Sequence, residues 1–183
     1  MANNAANVTA GKPMIGGAVH VAPIGTTLPT TALATLNEAF LDIGYISADG
    51  ISNDISRTST SIRAWGGDEV LNIQNEKNDI WTFTMIEAKN INVLKQVFGE
   101  ENVTETGGAI TVTVNSKELT SWSWVFDMLL SDGSAKRSVL PNAKITNVAE
   151  ITYSDSAAVG YNATLNAMPD TNGNTHYEYI SAQ

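Results

Sequence analysis

The hydrophobic period of this chain lengthens inside residues 79–99, DIWTFTMIEAKNINVLKQVFG, and that change constrains the fold more than any other feature. Over residues 79–88, Trp81, Phe83 and Met85 fall on one face and Ile80, Thr82, Thr84 and Ile86 on the other, the two-residue period of a β-strand. Ile91, Leu94 and Val97/Phe98 then share one side of a 3.6-residue helix, with Asn90 placed to cap its first turn and Gly99 to end it. A helix this short is marginal alone in water, so its apolar side must lie on a sheet. Almost all the rest reads as strand. The expectation is a mainly β fold: a β-sandwich or barrel with one short flanking helix at about residues 91–98.

Residues 1–17 are small, polar and glycine-containing, and are expected to form a flexible N-terminal arm ahead of a single β domain spanning residues 18–183. Residues 18–22 and 42–47 read as short strands, with a threonine-rich loop and a helical turn at residues 36–40 between them. Residues 50–65, GISNDISRTSTSIRAW, are polar, rich in serine and threonine, and hold Arg57 and Arg63; they read as a long inter-strand loop, solvated or in contact with a partner. Gly66-Gly67-Asp68 turns the chain into residues 69–75, and residues 76–78 turn it again, so residues 69–88 read as a hairpin. A polar link, residues 100–108, precedes a strand at 109–115. Residues 121–130 place Trp122, Trp124, Phe126 and Met128 on one face; with Trp81, Phe83, Met85 and Leu94 they make the expected core. Asp132-Gly133 signals a hairpin into residues 136–140, Pro141-Asn142 breaks that strand before 143–153, and residues 159–167 alternate cleanly as a half-buried strand. The tail turns at Asn172-Gly173 and ends in HYEYI, a last strand or an arm.

The chemistry that titratable clusters would supply is sparse. There is no cysteine, hence no disulfide framework, thiol nucleophile or thiolate metal site. His20 and His176 lie far apart in sequence without metal-ligand spacing, no serine sits in G-x-S-x-G, and no phosphate-binding glycine loop is present. Residues 170–174, DTNGN, lack the spacing of a calcium loop and read as a turn. Glu100, Glu101 and Glu105 read as a solvated link, and the sequons at Asn7, Asn102 and Asn162 carry little weight in a chain whose first residues show no secretory leader pattern. No catalytic residue, metal or cofactor is expected, and no stretch is long and apolar enough to span a membrane as a helix. The formal charge of −9 argues against stable gripping of phosphate backbones, while an acidic surface beside DNA would repel it. An assembly protein is the class that fits.

Residues 41–52, 64–99, 139–146 and 173–180 carry a resemblance that covers nearly the whole chain, centred on the W-G-G-D turn at 65–68 and the E-x-x-N-x-x-V-L helix start at 87–94. The chain resembles the major tail tube protein of long, non-contractile-tailed (siphophage-type) bacteriophages. The resemblance implies a virion protein, assembled in the host cytoplasm as hexameric rings that stack into a hollow tube for genome delivery. Its partners would be further copies of itself, the tape measure, tail terminator and distal tail proteins, and double-stranded DNA in transit but not stably bound. It also implies inter-ring contacts from the arm, at Val8, Lys12, Pro13 and Ile15, and from the long loop, at Arg57, Arg63 and Trp65. Asp42 and Glu69, flanking that loop, are the expected lumen-facing acids. The tube subunit of a type VI secretion or related injection apparatus is a second reading. A secreted carbohydrate-binding β-sandwich, stacking sugars on its tryptophans, is a third.

Overall fold

The computed structural model describes residues 3–182. Half the chain, 49%, is strand and 7% is helix, and the sheets do not close into a barrel. In chain order the strands are β1 (Gly11–Pro13), β2 (Val19–Pro23), β3 (Leu41–Asp42), β4 (Ile46–Arg63) and β5 (Glu69–Met85). The helix α1 (Ile91–Phe98) is followed by β6 (Val103–Thr106), β7 (Ala109–Val112), β8 (Trp122–Leu130), β9 (Ala135–Val148), β10 (Tyr161–Ala167) and β11 (Tyr177–Ile180). Nine strands form one sheet in the order β3-β2-β8-β9-β10-β5-β4, with β1 paired to β8 and β11 to β9; β6 and β7 form a separate pair.

That sheet folds over on itself. β5 and β8 are three strand spacings apart along the path, roughly 14 Å in a flat sheet. Yet Trp81 stacks on Phe126 with ring centroids 5.0 Å apart, and Phe83 meets Phe126 and Trp124 edge-on at 5.4 and 5.8 Å. The aromatic faces of the two strands therefore close into a sandwich-like core, in which Trp81, Phe83, Met85, Leu94, Trp124 and Phe126 are buried and Trp122 half-buried. β8 is covered on its other face too: Val125, with Ala22, Phe40 and Val139, packs under the loop that follows β2. Asn90 caps α1 by accepting from the Asn92 amide at 2.9 Å, and Gly99, at φ 99°, ends it. The helix buries Val93, Leu94, Gln96 and Val97, a face turned toward Val93 from the one anchored on Ile91, which stays half-buried.

Several sequence expectations are corrected. Residues 50–63 are not a loop: they are most of β4, paired with β5 in one long hairpin from Ile46↔Met85 to Arg63↔Glu69, and Ala64 and Trp65 belong to the turn at its tip. The expected turn at residues 76–78 is continuous pairing, with Glu76, Lys77 and Asn78 opposite Thr58, Arg57 and Ser56, and the register shifts just beyond it, between Thr58 and Ser59. A strand exposed on both faces has no reason to alternate apolar and polar residues, so this stretch of β4 looks like loop. Pro141-Asn142 does not end a strand. They lie in β9 opposite an irregularity between Trp122 and Trp124, where a residue without an amide hydrogen costs no ladder bond, and the Ser123 hydroxyl donates to the Pro141 carbonyl at 2.7 Å. Residues 36–40 make a β-turn closed by Phe40 N–H to Asn37 O, not a helical turn. The link after α1 contains β6, and within the expected arm Gly11–Pro13 pairs with the Met128 to Leu130 edge of β8. Met1 and Ala2 of that arm, and Gln183, lie outside the described residues.

Candidate assembly surface

The β4–β5 hairpin dominates the surface of the protein. The last pair joining β5 to β10 is Ile80↔Asn166, so residues 69–79 of β5 are flanked by β4 alone. At a strand rise of about 3.3 Å per residue, the free ribbon projects roughly 30 Å. From residue 57 to residue 77 every residue of it is exposed. Ile62, Trp65, Val70, Leu71 and Ile73 are among the exposed apolar side chains, Trp65 completely so. Along the sheet path β4 is the terminal strand, with a row of backbone donors and acceptors open to another strand. Gly66 and Gly67, at φ 112° and 100°, make the tip turn, a conformation that side chains disfavour.

The ribbon's charges differ from those of the body. Over residues 55–79, Arg57, Arg63 and Lys77 stand against Asp68, Glu69, Glu76 and Asp79, so the ribbon is nearly neutral in a chain of −9. Arg63 and Glu69 are register partners 3.6 Å apart at the tip, and Arg63 also donates to the Gly67 carbonyl at 2.9 Å. Arg57 is directly opposite Lys77, and forms no ion pair among the described residues. Like charges facing each other across a pair are destabilising, and an acid from elsewhere would relieve them.

The remaining expected contact residues are scattered. Lys12 and Pro13 are exposed on β1, with Val8 and Ile15 exposed on either side of it. Asp42 lies on β3, at the opposite end of the sheet path from β4, and Glu69 lies at the ribbon tip; they do not share the strand surface expected for the lumen. Another surface is lined by neutral hydrogen-bonding side chains. On the side of β5 and β10 facing away from the aromatic core stand Thr82, Thr84, Asn162, Thr164 and Asn166, continued on β4 by Ser52, Asp54 and Ser56. These groups hydrogen-bond without gripping phosphate, and the signal for them was the alternation itself.

Buried polar groups tie the layers together. Arg137 holds Asp127 through Nε–Oδ1 at 2.6 Å and Nη2–Oδ2 at 3.0 Å, and donates to the carbonyls of Thr31 and Ala34. Asp79 accepts four hydrogen bonds, from Asn53, Trp81, Thr175 and His176. Burial alone would raise its pKa, but bonds from Thr175, His176 and Asn53, and the nearby imidazole, hold the carboxyl below the usual range. Neither arrangement was legible in the sequence, because a charged residue in a strand reads as solvent-facing.

No metal-holding group of three or more His, Cys, Asp or Glu occurs among the described residues. Asp170 is engaged in its own turn, accepting from the Asn172 and Asn174 amides and the Tyr177 hydroxyl. Asn102 of one sequon is buried, bonded to the Phe98 carbonyl and Asn115. Trp81 and Trp124 are interior and Trp122 is half-buried, leaving Trp65 as the fully exposed indole, so the row of stacking tryptophans a sugar-binding face needs is not formed.

A family model described as "Phage tail tube protein" matches residues 1–183. No curated protein sequence matches the chain. Among solved structures, the fold is similar to the tube-terminating cap of the anti-feeding prophage, determined by cryo-electron microscopy, with a TM-score of 0.50 over 99% of this chain and 100% of that one. At 11% identity the likeness is one of fold.

Proposed function

Given that this chain belongs to the phage tail tube protein family, a structural and not an enzymatic one, we propose that it assembles as hexameric rings stacked into the tail tube of a long-tailed, non-contractile phage, the conduit for its genome. The observation that carries this reading is the β4–β5 ribbon, with its open edge, exposed apolar side chains and nearly neutral charge. An exposed strand edge of this length is an aggregation hazard in a monomer and a bonding surface in a closed ring. Its neutrality lets it approach another acidic subunit.

In this arrangement the hydroxyl and amide face of β5 and β10 lines the channel, with Asp54 on the adjoining strand among its acids. Six copies would carry about −54 before screening, so DNA passes without adhering. Val8, Lys12, Pro13 and Ile15 on the arm, and Arg57, Arg63 and Trp65 on the ribbon, supply contacts between rings. Tape measure, terminator and distal tail proteins bound the finished tube, which is built in the host cytoplasm.

Replacing Arg57 and Arg63 together by alanine tests the contact. The monomer should keep its circular dichroism spectrum and melting temperature while polymerisation, followed by light scattering, slows. Tubes that grow at the wild-type rate would overturn the assignment.

A further inference from the structure

Asp79 stands where the ribbon leaves the body, one residue beyond the last pair between β5 and β10. From there outward the hairpin is a two-stranded ribbon, which alone is marginally stable and takes its direction from its root. At that root the chain buries a carboxylate, 1% exposed, and surrounds it with donors from three separate segments. Oδ1 accepts from Asn53 Nδ2 on β4 at 2.8 Å and from Trp81 Nε1 on β5 at 2.9 Å. Oδ2 accepts from Thr175 Oγ1 and from His176 Nδ1, each at 2.5 Å. An ionised carboxylate only accepts, so Nδ1 of His176 carries a proton. The imidazole also stands edge-on to the Trp81 ring, with centroids 5.4 Å apart.

Thr175 reaches further. Its hydroxyl oxygen accepts from Lys77 Nζ at 3.0 Å, so the same residue holds both the root and the second residue outward along the ribbon. Thr175 and His176 directly precede β11, which is paired to β9 in the body. The path from body to ribbon thus runs through β9, β11, Thr175–His176 and Asp79, independently of the β5–β10 ladder. Apolar contact would be enough to bury this root. Four directional bonds to one carboxylate do something else: they fix an orientation, because each is lost if the ribbon swings.

We propose that Asp79, Thr175 and His176 form a clamp through which the C-terminal segment sets the direction of the ribbon and so positions it for assembly. The clamp itself is a property of the single chain; its consequence for assembly rests on the tube reading above.

The absence of cysteine allows clean spin labelling at two introduced sites, Ser61→Cys on the ribbon and Thr27→Cys on the body. Pulsed dipolar spectroscopy on the otherwise wild-type chain should give one narrow distance distribution. In Thr175→Val/His176→Ala it should broaden with the rest of the fold retained, and His176→Asn in place of the alanine should narrow it again, because the asparagine amide nitrogen takes the place of Nδ1. If the double variant does not fold, Thr175→Val alone is read in the same way. A distribution that stays narrow without these side chains overturns the clamp. Polymerisation of the unlabelled double variant, by light scattering, should slow about tenfold as preorganisation is lost. A broadened distribution with growth at the wild-type rate would leave the clamp standing and overturn its role in assembly.

Discussion

Asp127 and Arg137 face each other across β8 and β9, with side chains 5% and 7% exposed, and they are the most demanding pair in the outer layer. Arg137→Ala would leave a buried carboxylate uncompensated and also release the loop whose Thr31 and Ala34 carbonyls it holds. A loss of about 3–5 kcal/mol is expected, read from the denaturant midpoint. An unchanged midpoint would show that the pair does not hold the layer. His20 is linked to the same group: its Nδ1 is buried without a hydrogen bond, 4.0 Å from Asp127 Oδ2, and Asp42 is its register partner on β3. Burial lowers its pKa from the ordinary 6.5, assisted by Arg137 and opposed by Asp42 and Asp127. The unfolded chain therefore binds this proton more readily than the folded one. The contribution of His20 is fully present above pH 6.5 and is lost as pH falls through its lowered value. Asp79 has the same sign, but acts only below the ordinary carboxylate value of 3.8. His20→Gln should flatten the stability profile just below pH 6.5, and a slope identical to wild type there would contradict the argument. These contacts were not legible in the sequence for one reason: a charged residue in a strand reads as solvent-facing, and what covers Arg137, Asp127 and Asp79 comes in part from loops, at Thr31, Ala34, Thr175 and His176.

Among the elements, legibility followed burial. β8 and β10 were readable because one face or both are covered, so that Trp124, Phe126, Ala163 and Leu165 repeat at the strand period. The helix was readable from its cap at Asn90 and its stop at Gly99, although Val93 proved more deeply buried than Ile91. The outward half of β4 was not, since exposure on both faces removes the periodic signal and leaves only a run of serine, threonine and arginine, whereas residues 69–75 of its partner β5 did read as strand. The β-branched content of that half of β4 was the available clue. The same contrast predicts what substitution does. Leu94 is 5% exposed beneath α1, so Leu94→Asp buries a charge with no partner and should cost more than about 4 kcal/mol, seen as a collapsed thermal transition. A variant that stays folded but fails to form rings would assign that helix face to a subunit interface instead.

At the scale of the whole molecule, a closed body and an open ribbon divide the work. The body buries its aromatic core and covers β8 on both faces within the single chain. The ribbon has an unpaired edge, exposed Trp65, Leu71 and Ile73, and Arg57 directly opposite Lys77. The family match identifies a tail tube protein, and the ribbon is the part of this chain that we propose meets another copy. Electron microscopy of the purified chain beside one whose ribbon is cut back, with residues 60–73 replaced by a two-residue turn, tests that division directly. The account predicts hollow, six-fold tubes from the complete chain and folded monomers from the shortened one. Tubes from the shortened chain, or a complete chain that stays monomeric at every concentration, would contradict it.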